Sequence, residues 1–348
     1  MGPQSKIPAS TMASGRPSSF RVWATAARPH TLSASIIPVI VGHSFAFYVD
    51  PRPIMPVPLS TISVAFASFA CLIQLGTNLH NDYADFVKGA DTDKRVGQAR
   101  ATQRGWLTPR QTAGASTICL LAALLVGTWL SISAAPKGSS FDVLSTLVTL
   151  SSAFNAVAYT GGPYPLGYVG LGHISIGYSG LGEIFVFAYF GVVATAAVPY
   201  LALRMTGAPF PWSPVLPARA AVWASVPVGL LSTAIIVVNN LRDRHTDVIA
   251  HKLTTAVRFG SAFARAEYAV CVLGAYACLV PISIWYGSPF LLLPLLSVPV
   301  ALPELKAVAG GGRDGGALNV HVGGAAKVQA VFCALMTLGV WLSDGGMR

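Results

Sequence analysis

Apolar runs of about 18 residues or more alternate with short polar stretches along almost the whole chain, and a run of that length crosses the hydrocarbon core of a bilayer as a helix. The pattern predicts roughly nine such helices, near 32–49, 59–80, 111–134, 141–160, 180–202, 220–241, 264–286, 288–303 and 325–343. The eighth is short and proline-laden, which a helix bundle tolerates because neighbouring helices satisfy the backbone groups that proline frees. Residues 1–20 contain no acid and much Ser, Pro and Gly. They read as a disordered N-terminal arm or the remnant of a transit peptide. Residues 21–348 read as a single transmembrane domain, giving an all-α polytopic bundle.

Composition sharpens this picture. The 348 residues are 53% hydrophobic and only 10% charged, with mean hydropathy +0.60, whereas a soluble domain carries roughly a quarter charged residues. Threading nine helices puts the N-terminus and the loops after helices two, four, six and eight on one side. Most of the 23 Lys and Arg fall there, which makes that side cytoplasmic or its equivalent. The +10 net charge is therefore a topology signal, and with no soluble basic domain a nucleic-acid partner is excluded. The five cysteines all lie in apolar runs without a CxxC, so they read as small core residues rather than disulfides or zinc ligands. The partner that remains is the lipid bilayer, that of a bacterial plasma membrane or, in a eukaryote, of an organelle such as a plastid.

The few charges are not scattered. Asp82, Asp85, Asp91 and Asp93, four of the thirteen acids, crowd into "NLHNDYADFVKGADTDKRVG" (78–97), directly after an apolar run. A second block, "IIVVNNLRDRHTDVIAHKLTTAVRFG" (235–260), has the same form. Helical spacing puts Asn78, Asp82 and Asp85 on one face, and Asn239, Asp243 and Asp247 on another. The blocks end the second and sixth helices and so emerge on the same side, which suggests a duplicated four-helix unit plus one helix. Residues 167–176 and 177–186, "GYVGLGHISI" and "GYSGLGEIFV", form a ten-residue tandem whose glycines argue for a loop or re-entrant segment.

Carboxylates at the mouth of a greasy helix repel one another and are costly to bury unpaired. Two facing pairs offer hard oxygen ligands that suit Mg²⁺, which favours one or two carboxylates together with phosphate oxygens. Lys88, Lys94, Arg95, Arg100, Arg242, Lys252 and Arg258 lie close by in sequence, as a diphosphate leaving group requires. A solvated acidic face explains one such block but not two with the same Asn-to-Asp spacing. A CDP-alcohol phosphotransferase pattern is absent, because Tyr83 follows Asp82. A non-catalytic membrane binder or transporter stays open as the other class of reading.

"NLHNDYADFVKGADT" and "NNLRDRHTD" resemble the two Asp-rich motifs of the UbiA superfamily of membrane prenyltransferases. "ARPHTLSASIIPVIVG" (27–42), "YTGGPYPLGY" (159–168), "GLGEIFVFAYFG" (180–191) and "KLTTAVRFG" (252–260) are similar to the MenA-type 1,4-dihydroxy-2-naphthoate branch. The resemblance implies a nine-helix bundle with a central cavity. It also implies Mg²⁺-assisted transfer of a polyprenyl or phytyl group from its diphosphate to 1,4-dihydroxy-2-naphthoate with loss of CO₂, a step toward menaquinone or phylloquinone. Other acceptors in the superfamily are 4-hydroxybenzoate and homogentisate. By position, Asp82, Asp85, Asp243 and Asp247 would hold Mg²⁺ with Asn78 and Asn239 in support, and Arg95, Lys252, Arg258 and Arg242 would face the diphosphate. Two departures stand out: His251 replaces the Gly that the family places before its Lys, and the tandem inserts His173 and a second GYxGLG ahead of Glu183.

Overall fold

A computed structural model describes residues 17–49, 57–90, 96–166, 171, 174–206 and 216–345. The described residues form helices joined by turns, with no strand among them: α1 (Ser19–Ala27), α2 (Leu32–Val49), α3 (Leu59–Val87), α4 (Pro109–Ser133), α5 (Val143–Ala158), α6 (Gly182–Val186), α7 (Ala194–Met205), α8 (Leu216–Ile249), α9 (Thr255–Arg258), α10 (Gly260–Ala277), α11 (Leu279–Tyr286), α12 (Val298–Ala309) and α13 (Asn319–Gly345). A π-helical stretch, Phe187–Val193, fuses α6 to α7, and a 3₁₀ stretch, Pro289–Ser297, leads into α12. Seven segments are long and apolar enough to span a bilayer, and two shorter apolar ones, Leu32–Ala46 and Val143–Ala158, accompany them. The chain is an integral membrane protein, and the expected nine spans hold approximately. Residues 1–16 of the expected arm lie outside the described residues, and α1 begins within its last residues.

The proline-rich eighth run resolves physically. Pro289 and Pro294 fall in the 3₁₀ part, and regular α-helix starts only at Val298. Helices α3 and α8 overshoot their apolar runs in the other direction. Each stays helical through its acidic motif, to Val87 and Ile249, because the motif side chains find partners inside the bundle.

Helix α8 is the axis. Some 67% of its apolar window is buried, against 28% for α3 and for α4. Ala224, Val228, Leu231, Ala234, Val237, Val238 and Leu241 form its inward stripe, packed with Phe332 and Met336 of α13 and Tyr268 and Val272 of α10. Lipid tails are as apolar as these side chains, so close backbone approach and internal hydrogen bonds must hold the helices together. A Cβ on Gly191 would lie 2.3 Å from Gly229 Cα, so the π-helical stretch rests directly on the α8 backbone. Gln329 donates to Ser232 Oγ at 2.6 Å, and Ser116 donates to the Gly76 carbonyl at 2.8 Å. An apolar cavity of about 280 Å³, lined by Phe66, Phe69, Leu130, Val148 and Tyr200, opens among α3, α4, α5 and α7.

Gly191→Ala should therefore destabilise the bundle by about 1–3 kcal/mol, the usual cost of overpacking. Gly114→Ala on α4, where a Cβ meets nothing within 4 Å, should leave stability unchanged. Thermal unfolding of the two purified variants in detergent, side by side, checks the contrast.

Candidate functional site

The first cluster sits on the last two turns of α3, and Asn78, Asp82 and Asp85 are all buried. Asp82 Oδ2 accepts from the Thr102 amide at 3.4 Å. Arg28, at the α1–α2 junction, lies within electrostatic reach of Asp82. The other oxygen, Oδ1, is buried with no hydrogen-bond partner among the described residues. Asp85 is bracketed: Arg100 Nη2 donates to Oδ2 at 3.2 Å and Tyr178 O–H to Oδ1 at 2.9 Å. Asn78 spends both ends of its amide on neighbours. Its Nδ2 donates to Ala27 O and Thr31 Oγ1, each at 2.9 Å, and its Oδ1 accepts from Gln74 at 3.2 Å. Asn78 thus grips the junction that carries Arg28, whose φ of 53° is left-handed.

The second cluster ends α8. Asp247 and Arg242 are buried, while Asn239 and Asp243 are half-buried. Arg242 forks onto Asp243 at 2.8 and 2.7 Å and also donates to Asn319 Oδ1 at 3.2 Å. Asn319 in turn donates to the Val96 carbonyl at 3.2 Å, so the segments after α3 and before α13 close over the end of α8. The two motifs do emerge on one side, as their parity in the sequence predicts.

Both motif helices finish in the same way. In α3, Ala90 N–H donates to Asp85 O and Gly89 N–H to Phe86 O, and Gly89 has φ 71°. In α8, Lys252 N–H donates to Asp247 O and His251 N–H to Val248 O, and His251 has φ 53°. Each is the paired cap that uses a left-handed residue after the last turn, normally Gly. Position 251 prefers Gly for this reason, and His tolerates the conformation better than most side chains.

Between the clusters stands Tyr178. Its hydroxyl is on Asp85, Lys88 Nζ lies 4.5 Å from its ring centroid and Lys252 Nζ lies 5.8 Å away. Lys88 also donates to the Thr160 carbonyl. Arg258 is exposed and donates Nε to Leu253 O at 3.0 Å, beside Gly180. Arg95, with Asp91, Asp93 and Lys94, lies outside the described residues, as does His173 of the tandem's first copy. Sequence reading passed over Arg28, Thr102 and Tyr178, although the segment containing Arg28 was quoted for its likeness to a family and the one containing Tyr178 as the second copy of the tandem.

Among the described residues no three His, Cys, Asp or Glu converge as a metal-ligating group. The carboxylates stand as two pairs, and Mg²⁺ asks a protein for one or two carboxylates and takes its other oxygens from phosphate and water. The orphaned, buried Asp82 Oδ1 is the kind of hard donor such a cation uses. The donor set therefore fits Mg²⁺ held together with a phosphorylated ligand.

A membrane-spanning bundle with paired acids and bases at one end presents groups for both a cation and an anion there. The chain matches the UbiA prenyltransferase family over residues 35–309 and belongs to that family. It is 32% identical over 299 residues to a 1,4-dihydroxy-2-naphthoate octaprenyltransferase of Mycobacterium tuberculosis (strain ATCC 25618 / H37Rv), covering 85% of this chain and 89% of that one. It is 30% identical over 290 residues to the octaprenyltransferase of the same name in Escherichia coli (strain K12), covering 83% and 85%. A UbiA homolog from Archaeoglobus fulgidus has the same fold, with TM-score 0.53 at 13% identity over 92% of this chain and 99% of that one.

His251→Gly should stabilise the protein by about 1 kcal/mol, since glycine occupies a left-handed position without the Cβ penalty; a higher unfolding temperature with unchanged turnover is the expected readout. A pH dependence follows from Asp314, which accepts from Arg244 at 2.5 Å and His245 at 3.0 Å. The Arg244 hydrogen bond, helped by His245 and the Gly315 amide, holds its carboxyl well below the usual carboxylate range. A depressed carboxyl contributes its attraction at and above the ordinary range and loses it only as pH falls through the depressed value. Hydrogen exchange of residues 310–318 should therefore stay slow at mildly acidic pH and accelerate only in strong acid; Asp314→Asn should abolish that pH dependence.

Proposed function

We propose that this protein transfers a polyprenyl group from its diphosphate to 1,4-dihydroxy-2-naphthoate with loss of CO₂, through a single prenyltransferase domain spanning 21–348. The observation that carries the reading is the answering of acids by bases at the ends of α3 and α8: Arg28 near Asp82, Arg100 on Asp85 and Arg242 on Asp243. Such pairs serve a ligand that brings both signs, a divalent cation for the carboxylates and a diphosphate for the guanidinium groups. The likeness to naphthoate octaprenyltransferases over most of both chains supports the choice of acceptor.

Asp82, Asp85, Asp243 and Asp247 would hold Mg²⁺, with Asn239 beside them, and Asn78 supports the site by fixing the Arg28 junction. The chemistry such a cation supplies is neutralisation of the diphosphate as the allylic C–O bond breaks. Arg100, Arg242 and Lys252, with the exposed Arg258, would hold the departing oxygens, and Arg95 is assigned with them from its place in the motif. Tyr178 keeps Asp85 oriented while Lys88 and Lys252 flank its ring. The bundle excludes water, so the allylic cation meets the ring carbon of the acceptor rather than hydroxide.

Purified protein should form the prenylated naphthoquinol only with Mg²⁺ present, and chelation should stop it. Asp82→Asn or Asp243→Asn should lower turnover roughly 10²-fold or more, the typical loss for one charge-stabilising group. Prenylation of 4-hydroxybenzoate or homogentisate in place of the naphthoate would refute the acceptor assignment and leave the prenyl transfer standing.

A further inference from the structure

One buried acid has no part in the diphosphate end. Glu183 opens α6, in the second copy of the tandem, and is 5% exposed. Its Oε1 accepts from Asn240 Nδ2 at 2.7 Å and from Thr255 O–H at 2.6 Å. Its Oε2 is buried with no hydrogen-bond partner among the described residues. An unsatisfied carboxylate oxygen inside a bundle is costly and is retained where it meets a donor in function.

The surroundings fix where its proton chemistry lies. Thr255 Oγ1 is also 3.2 Å from Glu267 Oε2. A hydroxyl has one proton, so it donates to only one of two carboxyls, and the second fits only by bringing a proton of its own. The shorter contact gives the Thr255 proton to Glu183. Glu267 is then the carboxylic acid and Glu183 the carboxylate, joined through one hydroxyl. Two bare carboxylates sharing that hydroxyl would repel at close range.

The location relative to the diphosphate end is equally specific. Asn240 precedes Asp243 by three residues on α8, so the Glu183 group lies about one helical turn further into the bundle. Tyr159 bridges the two levels: its ring packs on Gly177 and Gly182, and it lies within electrostatic reach of Glu183, Asp247 and Asp85.

We propose that Glu183 is the binding site for a hydroxyl of the aromatic acceptor, its Oε2 receiving the phenolic O–H. This assignment rests on the prenyl-transfer reading above. As the carboxyl-bearing ring carbon attacks the allylic carbon, the allylic C–O bond breaks and its electron pair leaves with the diphosphate. The phenolic O–H bond breaks too: its proton passes to Glu183 and its electrons form the ring C=O. The ring–carboxylate bond then breaks, CO₂ departs, the bonding pair returns to the ring, and the oxygen recovers the proton from Glu183. No oxidant or reductant is needed, and Glu183 ends as it began.

The test uses the full chain in nanodiscs with prenyl diphosphate, Mg²⁺ and the dihydroxynaphthoate as probe. Glu183→Gln should cut prenylation by about 10²-fold or more, the range for a lost general base, and raise KM for the naphthoate. It should leave KM for the prenyl diphosphate and acceptor-independent diphosphate release unchanged. Glu183→Asp should recover part of the turnover, which covers the case in which the glutamine variant fails to insert. Infrared spectroscopy of the resting protein should show a protonated-carboxyl stretch that Glu267→Gln removes. Equal loss of acceptor-independent diphosphate release in Glu183→Gln, or no such band in the wild type, would overturn the proposal. If the wild type prenylates a different hydroxylated aromatic, the naphthoate assignment fails, and the Glu183 site is judged by the same comparison on that acceptor.

Discussion

A carboxylate taken out of water must be answered by a cation or a donor, and one end of this bundle is organised by that requirement. Asp82 is answered from the α1–α2 junction and from Thr102, Asp85 from Arg100 and Tyr178, and Asp243 from Arg242. Apart from Arg242, which neighbours Asp243, these answering groups come from segments far from their acids in the chain. Meeting the desolvation cost of three acids thus fastens the N-terminal junction, the loop after α3, the tandem repeat and the segment before α13 to the ends of two helices. The opposite end has its own smaller version. Asp142 caps α5 through the Ser145 amide and accepts from Arg204 and Tyr200, which closes the far side around an apolar cavity rather than a charged one.

The two motif helices share more than a spacing of acids. Asp85 and Asp247 each occupy the position whose carbonyl receives the longer bond of the cap, four residues before the left-handed residue. That cap turns the chain sharply and leaves a lysine against the Tyr178 ring, Lys88 before the turn in one helix and Lys252 after it in the other. The arrangement is what a duplicated unit would leave behind. It also explains why the acids lie at helix ends: only there can backbone geometry bring basic side chains back to the same side without crossing the membrane.

Much of this was legible in the sequence, for identifiable reasons. A membrane span is a one-dimensional signal, so the apolar runs located the helices to within a few residues at most ends. The largest exceptions were the ends of α3 and α8, where charge suggested a loop and buried partners kept the helix. Asn78, Asp82 and Asp85 were visible as one helical face and Asn239, Asp243 and Asp247 as another, but what each does was not. Asn78 was expected among the metal ligands, and its amide is engaged with Ala27, Thr31 and Gln74. Arg28, Thr102, Tyr178 and Asn240 act across separations of roughly 20 to 90 residues, which no local period encodes. His251 was noticed as a departure from a family pattern, and its reason appears only in the backbone angle.

The tandem repeat shows how sequence alone can misplace importance. Two decapeptides that agree at six of ten positions invite the reading of a lengthened loop, with the inserted copy as the novelty. Two side chains of the second copy reach the site: Tyr178 meets the charged end through Asp85, and Glu183, five residues on, reaches the interior through Asn240 and Thr255. One short segment therefore spans the step from a charged rim to an isolated acid one turn deeper. Polarity falls along that path, from paired ions through a single carboxylate to the apolar bundle beyond. A ligand with a charged head and a hydrocarbon tail is oriented by such a gradient before any specific contact forms. On the proposal made above, an aromatic ring carrying hydroxyls would sit where the gradient still offers the Glu183 Oε2 acceptor. On the proposal made above, depth in the bundle separates the two substrates, and the second repeat is the element that measures it.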